Sequence, residues 1–115
     1  MAETSTKYTA VYRFARMSAR KIRPIADVVR GKFADEALDL LKYMPNRGAR
    51  MLEKAIKSAL GNAENRNERD LDNLVLTDLR VDGGPMFKRV RPRARGMAFM
   101  IKKRMSHITV SLEVV

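Results

Sequence analysis

Cysteine is absent from the 115 residues, and His107 is the only histidine. Disulfides and thiolate chemistry are excluded, and the absence fits a reducing compartment. One histidine cannot build a histidine-based metal cluster, so neither a metal nor a cofactor is expected. No apolar run approaches the roughly 18 residues that read as a membrane-spanning helix. The opening MAETSTKYTA shows neither a hydrophobic signal stretch nor an Arg-rich amphipathic transit pattern. A soluble, intracellular protein without a membrane partner is the expectation. The most telling shortage is local: between Asp82 and Glu113 there is no carboxylate at all.

What fills that stretch is positive charge. It carries Lys88, Arg89, Arg91, Arg93, Arg95, Lys102, Lys103 and Arg104. Like charges crowded this way repel unless something anionic lies beside them. A polyphosphate backbone supplies that counter-surface, and each neutralised phosphate also releases condensed counterions. The net charge of +11 points the same way. A hydrophobic share of 45% indicates a folded chain, and the length suits one domain with one modest core. Residues 1–115 therefore read as a single domain.

Hydrophobic spacing predicts the elements. KYTAVYRF over 7–14 alternates Tyr8, Ala10, Tyr12 and Phe14 against Thr9, Val11 and Arg13, a strand with one buried face. Ser18 is placed to cap a helix over 19–30, and Gly31 to end it in the left-handed conformation. Ile22, Ile25, Ala26 and Val29 share one face of it, with Arg20, Lys21, Arg23 and Arg30 largely elsewhere. Pro24 lies beyond the first turn and removes the bond to the Arg20 carbonyl.

A short helix fits 35–43, with Asp35 and Glu36 at its positive end, Lys42 near its negative end and Pro45 beyond it. Asn46 is placed to cap a third helix over about 47–63. Its apolar stripe is Ala49, Leu52, Ile56, Ala59 and Ala63; Arg50, Lys54 and Lys57 form a basic stripe. The polar stretch after it reads as a loop, and Leu74 to Val81 as a strand. Gly83, Gly84 and Pro85 then break the pattern.

Ile108, Val110, Leu112 and Val114 alternate with His107, Thr109, Ser111 and Glu113 as a closing strand. Two strands joined near Pro92–Gly96 make a long basic hairpin at about 84–105. Its arms, at about 3.3 Å per residue, reach roughly 30 Å, farther than so small a domain's radius. A solvated strand pair using charge only to discourage edge pairing would need fewer cations and would tolerate carboxylates among them. Arg91, Arg93 and Arg95 also present planar forks suited to phosphate and to stacking on bases.

Other groups are weaker. Arg13, Arg16, Arg20, Lys21 and Arg23 form a second basic region, read with the hairpin as a phosphate site. Lys54 and Lys57, taken alone, are ordinary exposed lysines. Asn62, Asn65 and Asn67 read first as cap and turn formers, with RNA contact the second reading. Met97, Phe99 and Met100 pack between the arms or against a neighbour, or else intercalate into bases. Glu64, Glu68, Asp70 and Asp72 balance charge in a loop; a hard cation is the alternative. No Ser-His-Asp order, Gly-rich phosphate loop or metal-ligand spacing emerges, and His107 has no assignable partner as a general base. The chain does not read as an enzyme.

GKFADEAL, KAIKSALGNAENRN, GPMFKRVRPRARG and SHITV, in that order, resemble the bacterial large-subunit ribosomal protein L-twenty-two family. SARKIRPIADVVRGK is similar to that family's first helix, and the resemblance runs from about Thr9 to the C-terminus. It implies an α+β fold, three helices on a small three-stranded antiparallel sheet, with a long protruding β-hairpin. It also implies a cytoplasmic structural constituent of the large ribosomal subunit that joins several rRNA domains during assembly. Large-subunit rRNA, neighbouring ribosomal proteins and, at the hairpin tip, the nascent polypeptide are the implied partners; no homo-oligomer is expected.

The residues expected to face rRNA are Arg13, Arg16, Ser18, Arg20, Lys21, Arg23, Lys54, Lys57, Lys88, Arg89, Arg91, Pro92, Arg93, Arg95, Gly96, Lys102, Lys103, Arg104, Ser106 and His107. The resemblance implies that the hairpin tip, Arg91, Pro92, Arg93, Ala94, Arg95, Gly96 and Met97, lines the nascent-polypeptide exit tunnel. Where the family commonly has arginine after that glycine, Met97 stands here, followed by the apolar Phe99, Met100 and Ile101. The rival reading is an architectural DNA-binding protein with β-ribbon arms and Pro92 as a minor-groove wedge.

Overall fold

The computed structural model describes residues 7–66, 68, 71–92, 96 and 98–114, with the backbone alone at 72, 87–92 and 98–102. Strand β1 (Lys7–Ala15) is followed by helices α1 (Ala19–Val29), α2 (Ala34–Tyr43) and α3 (Arg47–Asn65). A 3-10 turn at Leu71–Asn73 leads into β2 (Leu74–Pro92), and β3 (Ala98–Val114) returns antiparallel to it. The sheet order is β1-β3-β2, so the last strand is the central one. Three helices packed on a three-stranded antiparallel sheet make an α+β fold, as expected.

The core forms where helical and strand periodicities meet. Ile22, Ile25, Ala26 and Val29 of α1 are buried, as are Ala49, Leu52, Ile56, Ala59 and Ala63 of α3. They cluster with Leu41 of α2 and with Leu76, Leu79, Ile108, Val110 and Leu112 of the sheet. Each large aliphatic side chain so buried contributes about 1.5–3 kcal/mol against conformational entropy. Close approach of α1 and α3 requires Gly48, where a β-carbon would stand 3.0 Å from Ile25 Cδ1.

Gly31 has φ 82°, the left-handed turn expected after α1. Its N–H donates to the Leu76 carbonyl at 3.1 Å, and the Leu76 N–H donates to Lys32 at 2.9 Å. These bonds, with a bridge between Phe33 and Val75, tie the α1–α2 connection to β2. Ser18 and Asn46 hold the N-cap positions with extended backbones, yet neither side chain bonds to its helix. Their carbonyls accept instead, from the Lys21 and Ala49 amides. Helix α1 continues through Pro24.

Three extra residues reshape the strands. Leu76 pairs with Leu112 but Asp78 with Ser111, which inserts Thr77 and reverses the side-chain parity. Leu74 and Leu76 before it and Leu79 and Val81 after it therefore all reach the core. A second shift lies between Gly83↔Ser106 and Met86↔Arg104. Gly83, Gly84 and Pro85, expected to break the strand, are accommodated there as a bulge, where a missing proline N–H is tolerated. The third lies in β1, between Tyr12↔Ile108 and Ala15↔Ser106. It turns Phe14 outward at φ 58° and 57% exposure, and Ala15 takes the buried place. The alternation expected through Phe14 therefore stops at Tyr12.

Ala15 and Ser106 form the last pair between β1 and β3. Beyond them β2 and β3 continue as a two-stranded ribbon from Met86↔Arg104 to Pro92↔Ala98. The molecule is correspondingly elongated, 68 × 30 × 23 Å along its principal axes. Arg93, Ala94, Arg95 and Met97 lie outside the described residues.

Candidate nucleic-acid interface

The ribbon's register places Lys88 opposite Lys102 and Phe87 opposite Lys103, while Arg89 and Arg91 pair with Ile101 and Phe99. Like charges at directly opposed positions destabilise an antiparallel pair in water. A two-stranded ribbon is itself marginal without further support. An anion drawn alongside offsets both costs. Gly96, at the turn between the strands, has φ 69°, a conformation glycine adopts without penalty. Pro92 closes the described part of the outgoing strand.

At the ribbon's root the fold joins two basic regions that are far apart in sequence. Ser18, which precedes the first helix, and Arg20 and Arg23 within it line a depression of about 480 Å³ together with Arg104 and the Gly83–Gly84 bulge. The Arg23 Nε donates to the Val81 carbonyl at 3.1 Å, which fixes its stem against β2. Arg20, Lys21 and Arg104 are exposed, as are Arg13 and Arg16 at the end of β1. Lys103, also exposed, stands one residue farther along the ribbon. Sequence reasoning assigned these residues separately; the pairing of α1 with β2 is what brings them together.

The other expected contacts divide. Lys54 and Lys57 are both exposed, and Lys54 Nζ sits 5.2 Å from the centre of the Tyr12 ring, a cation–π contact. Arg50, grouped with them by spacing, has a structural task. Its guanidinium donates to the Leu41, Lys42 and Met44 carbonyls at the end of α2 and pairs with Glu53 at 2.8 Å. Arg30 is likewise committed, donating to the Leu79 carbonyl at 2.9 and 3.2 Å while paired with Asp27.

Ser106 and His107 have different surroundings. Ser106 is 0% exposed, and among the described residues its hydroxyl has no hydrogen-bond partner. His107 is half-buried between the two bulges: the Phe14 amide donates to its Nδ1 at 3.1 Å. Its ring meets Phe14 edge-on, with centroids 5.0 Å apart and planes at 83°. Sequence reasoning missed Phe14, because a bulge of one residue leaves no mark in composition.

Among the described residues no group of three or more His, Cys, Asp or Glu side chains converges. Asp70 lies outside those residues, as does Asn67. Glu68 instead accepts a hydrogen bond from the Tyr8 hydroxyl at 2.5 Å. That bond, burial and the Glu68 charge together raise the Tyr8 pKa, with Arg66 opposing them. Asn62 leaves its expected capping role and donates from Nδ2 to the Thr9 carbonyl at 2.9 Å, joining α3 to β1. Among the described residues no helix is long and apolar enough to cross a membrane.

Fold and charge together define a small, strongly basic α+β protein. The sequence profile described as Ribosomal protein L22p/L17e matches residues 10–113, and the chain belongs to that family. A protein of Rhodopirellula baltica named large ribosomal subunit protein uL22 is 62% identical over 112 residues, covering 93% of this chain and 94% of its own. The protein of the same name from Caldicellulosiruptor saccharolyticus is 51% identical, over 93% and 88% of the two chains. That of Ligilactobacillus salivarius is 46% identical over 99% of each.

Proposed function

We propose that this chain is a structural, non-enzymatic constituent of the large ribosomal subunit in the cytoplasm, held there by large-subunit rRNA. The uncompensated positive charge from Lys88 to Arg104 carries the reading. The globular part docks on one RNA surface through Arg20, Arg23 and their neighbours. The ribbon reaches away from it, gains order as phosphates neutralise it, and holds distant rRNA segments together during assembly. Its tip, Arg91 to Met97, lines the nascent-polypeptide exit tunnel, and neighbouring ribosomal proteins complete the surroundings. Residues 1–115 act as one domain with the basic hairpin at about 84–105.

Co-sedimentation with large subunits through moderate salt washes tests the reading, together with the salt dependence of binding to transcribed large-subunit rRNA. With four to eight phosphates covered, log affinity falls with log salt at a slope of roughly −3 to −7. Affinity independent of salt, or a preference for bent duplex DNA over structured rRNA, would overturn it.

A further inference from the structure

The bulge in β1 presents a feature that phosphate neutralisation leaves unused. Phe14 takes φ 58°, a backbone conformation that bulky residues avoid, and its side chain is 57% exposed. The position is nevertheless firmly held. Its amide is bound to His107 Nδ1 at 3.1 Å, and its ring abuts the imidazole at right angles. An edge-on contact occupies at most one face of the benzene ring, which leaves another open.

The surroundings select what covers that face. Arg13, Arg16, Arg20, Lys21 and Arg23 lie in a run with no carboxylate between Glu3 and Asp27. Arg13 and Arg16, on either side of Phe14 in the chain, are both exposed. A flat apolar face beside exposed guanidinium groups suits a flat ligand attached to phosphate. An unpaired nucleobase has that chemistry, and aromatic stacking is a principal way in which single-stranded RNA bases are bound. An apolar protein surface would have to bury the neighbouring arginines without counter-charge, which is costly.

We infer that Phe14 is a stacking platform for an unpaired base of rRNA, flanked by phosphate contacts from Arg13 and Arg16. The inference rests on the rRNA-binding reading above and adds a contact of a different kind. Because the ring is already held by His107, little side-chain entropy remains to be lost on stacking.

The test compares wild-type protein with Phe14→Leu and Phe14→Tyr in binding transcribed large-subunit rRNA over a range of salt. Phe14→Leu removes the π face and is expected to weaken binding about tenfold at every salt concentration, with an unchanged salt slope. Phe14→Tyr keeps the face and binds like wild type. A second measurement does not depend on the leucine variant folding. Phe14→p-benzoylphenylalanine, assembled into large subunits and irradiated, is expected to cross-link to rRNA. Wild-type affinity for Phe14→Leu, or cross-links to protein alone, overturns the proposal while leaving rRNA binding intact. Failure of the wild-type chain to bind rRNA overturns both readings together.

Discussion

The backbone amide of Phe14 donates to Nδ1 of His107, and the two rings meet edge-to-face. This contact joins the last pairs of β1 to the central strand at the level where the two-stranded ribbon departs. Nδ1 is the acceptor, so the bonded neutral imidazole carries its proton on Nε2. On the other side Gly84 packs closely: a β-carbon there would stand 3.2 Å from Nε2 and from the Met105 carbonyl. His107 thus fills the space between two bulges, a role that needs no catalytic partner.

His107→Ala removes the acceptor and the ring contact together. Unfolding of the free protein in urea is expected to show a loss of about 1–2 kcal/mol, the sum of one hydrogen bond and one aromatic contact. The same variant has no reason to alter the salt slope of RNA binding. A stability equal to wild type would remove His107 from the junction.

Arg50 closes the end of α2 from the first turns of α3. A guanidinium fork spans three carbonyls and a carboxylate, which a single ammonium cannot do. Arg50→Ala is expected to cost about 1–3 kcal/mol in urea unfolding, and Arg50→Lys to recover little of it. Full recovery by lysine would reduce the interaction to plain charge pairing with Glu53.

Ser106 offers the opposite sign. Its hydroxyl is buried and has no partner among the described residues, so folding withdraws it from water without a compensating bond from them. Ser106→Ala is expected to leave stability unchanged or raise it by up to about 1 kcal/mol. RNA affinity measured alongside separates the two roles: a fall in affinity with stability retained would make the hydroxyl an RNA contact.

Helix α3 was legible because its stripe repeats at the helical period: Ala49, Leu52, Ile56, Ala59 and Ala63 all reach the core. The closing strand was legible for the same reason at period two, through Ile108, Val110 and Leu112. Thr77, Phe14 and the Gly84–Pro85 step were not. Each shifts register by one residue, and a single inserted residue has no periodicity of its own. Spacing puts Arg50 in a basic stripe with Lys54 and Lys57, but it cannot show that the short turn after Tyr43 brings α2's free carbonyls beside it. The depression lined by Arg20, Arg23 and Arg104 depended on tertiary pairing, although each charge was visible in the sequence.

The ribbon's arginines supply the sharpest separation between binding and folding. The backbone of Arg91 pairs with Phe99, past the last pair of β1 with β3, and Arg93 and Arg95 follow it in the sequence. Replacing all three with alanine is expected to leave the thermal midpoint of the free protein within about 2 °C of wild type, as for surface changes generally. Binding to large-subunit rRNA should weaken most at low salt, where counterion release contributes most. Three lost phosphate contacts reduce the magnitude of the salt slope by roughly 2 to 3, since each contributes about 0.7–0.9. The slope discriminates where affinity alone does not: a damaged globular fold also binds weakly, but it melts earlier in the absence of RNA. An unchanged slope would mean that these arginines neutralise no phosphate.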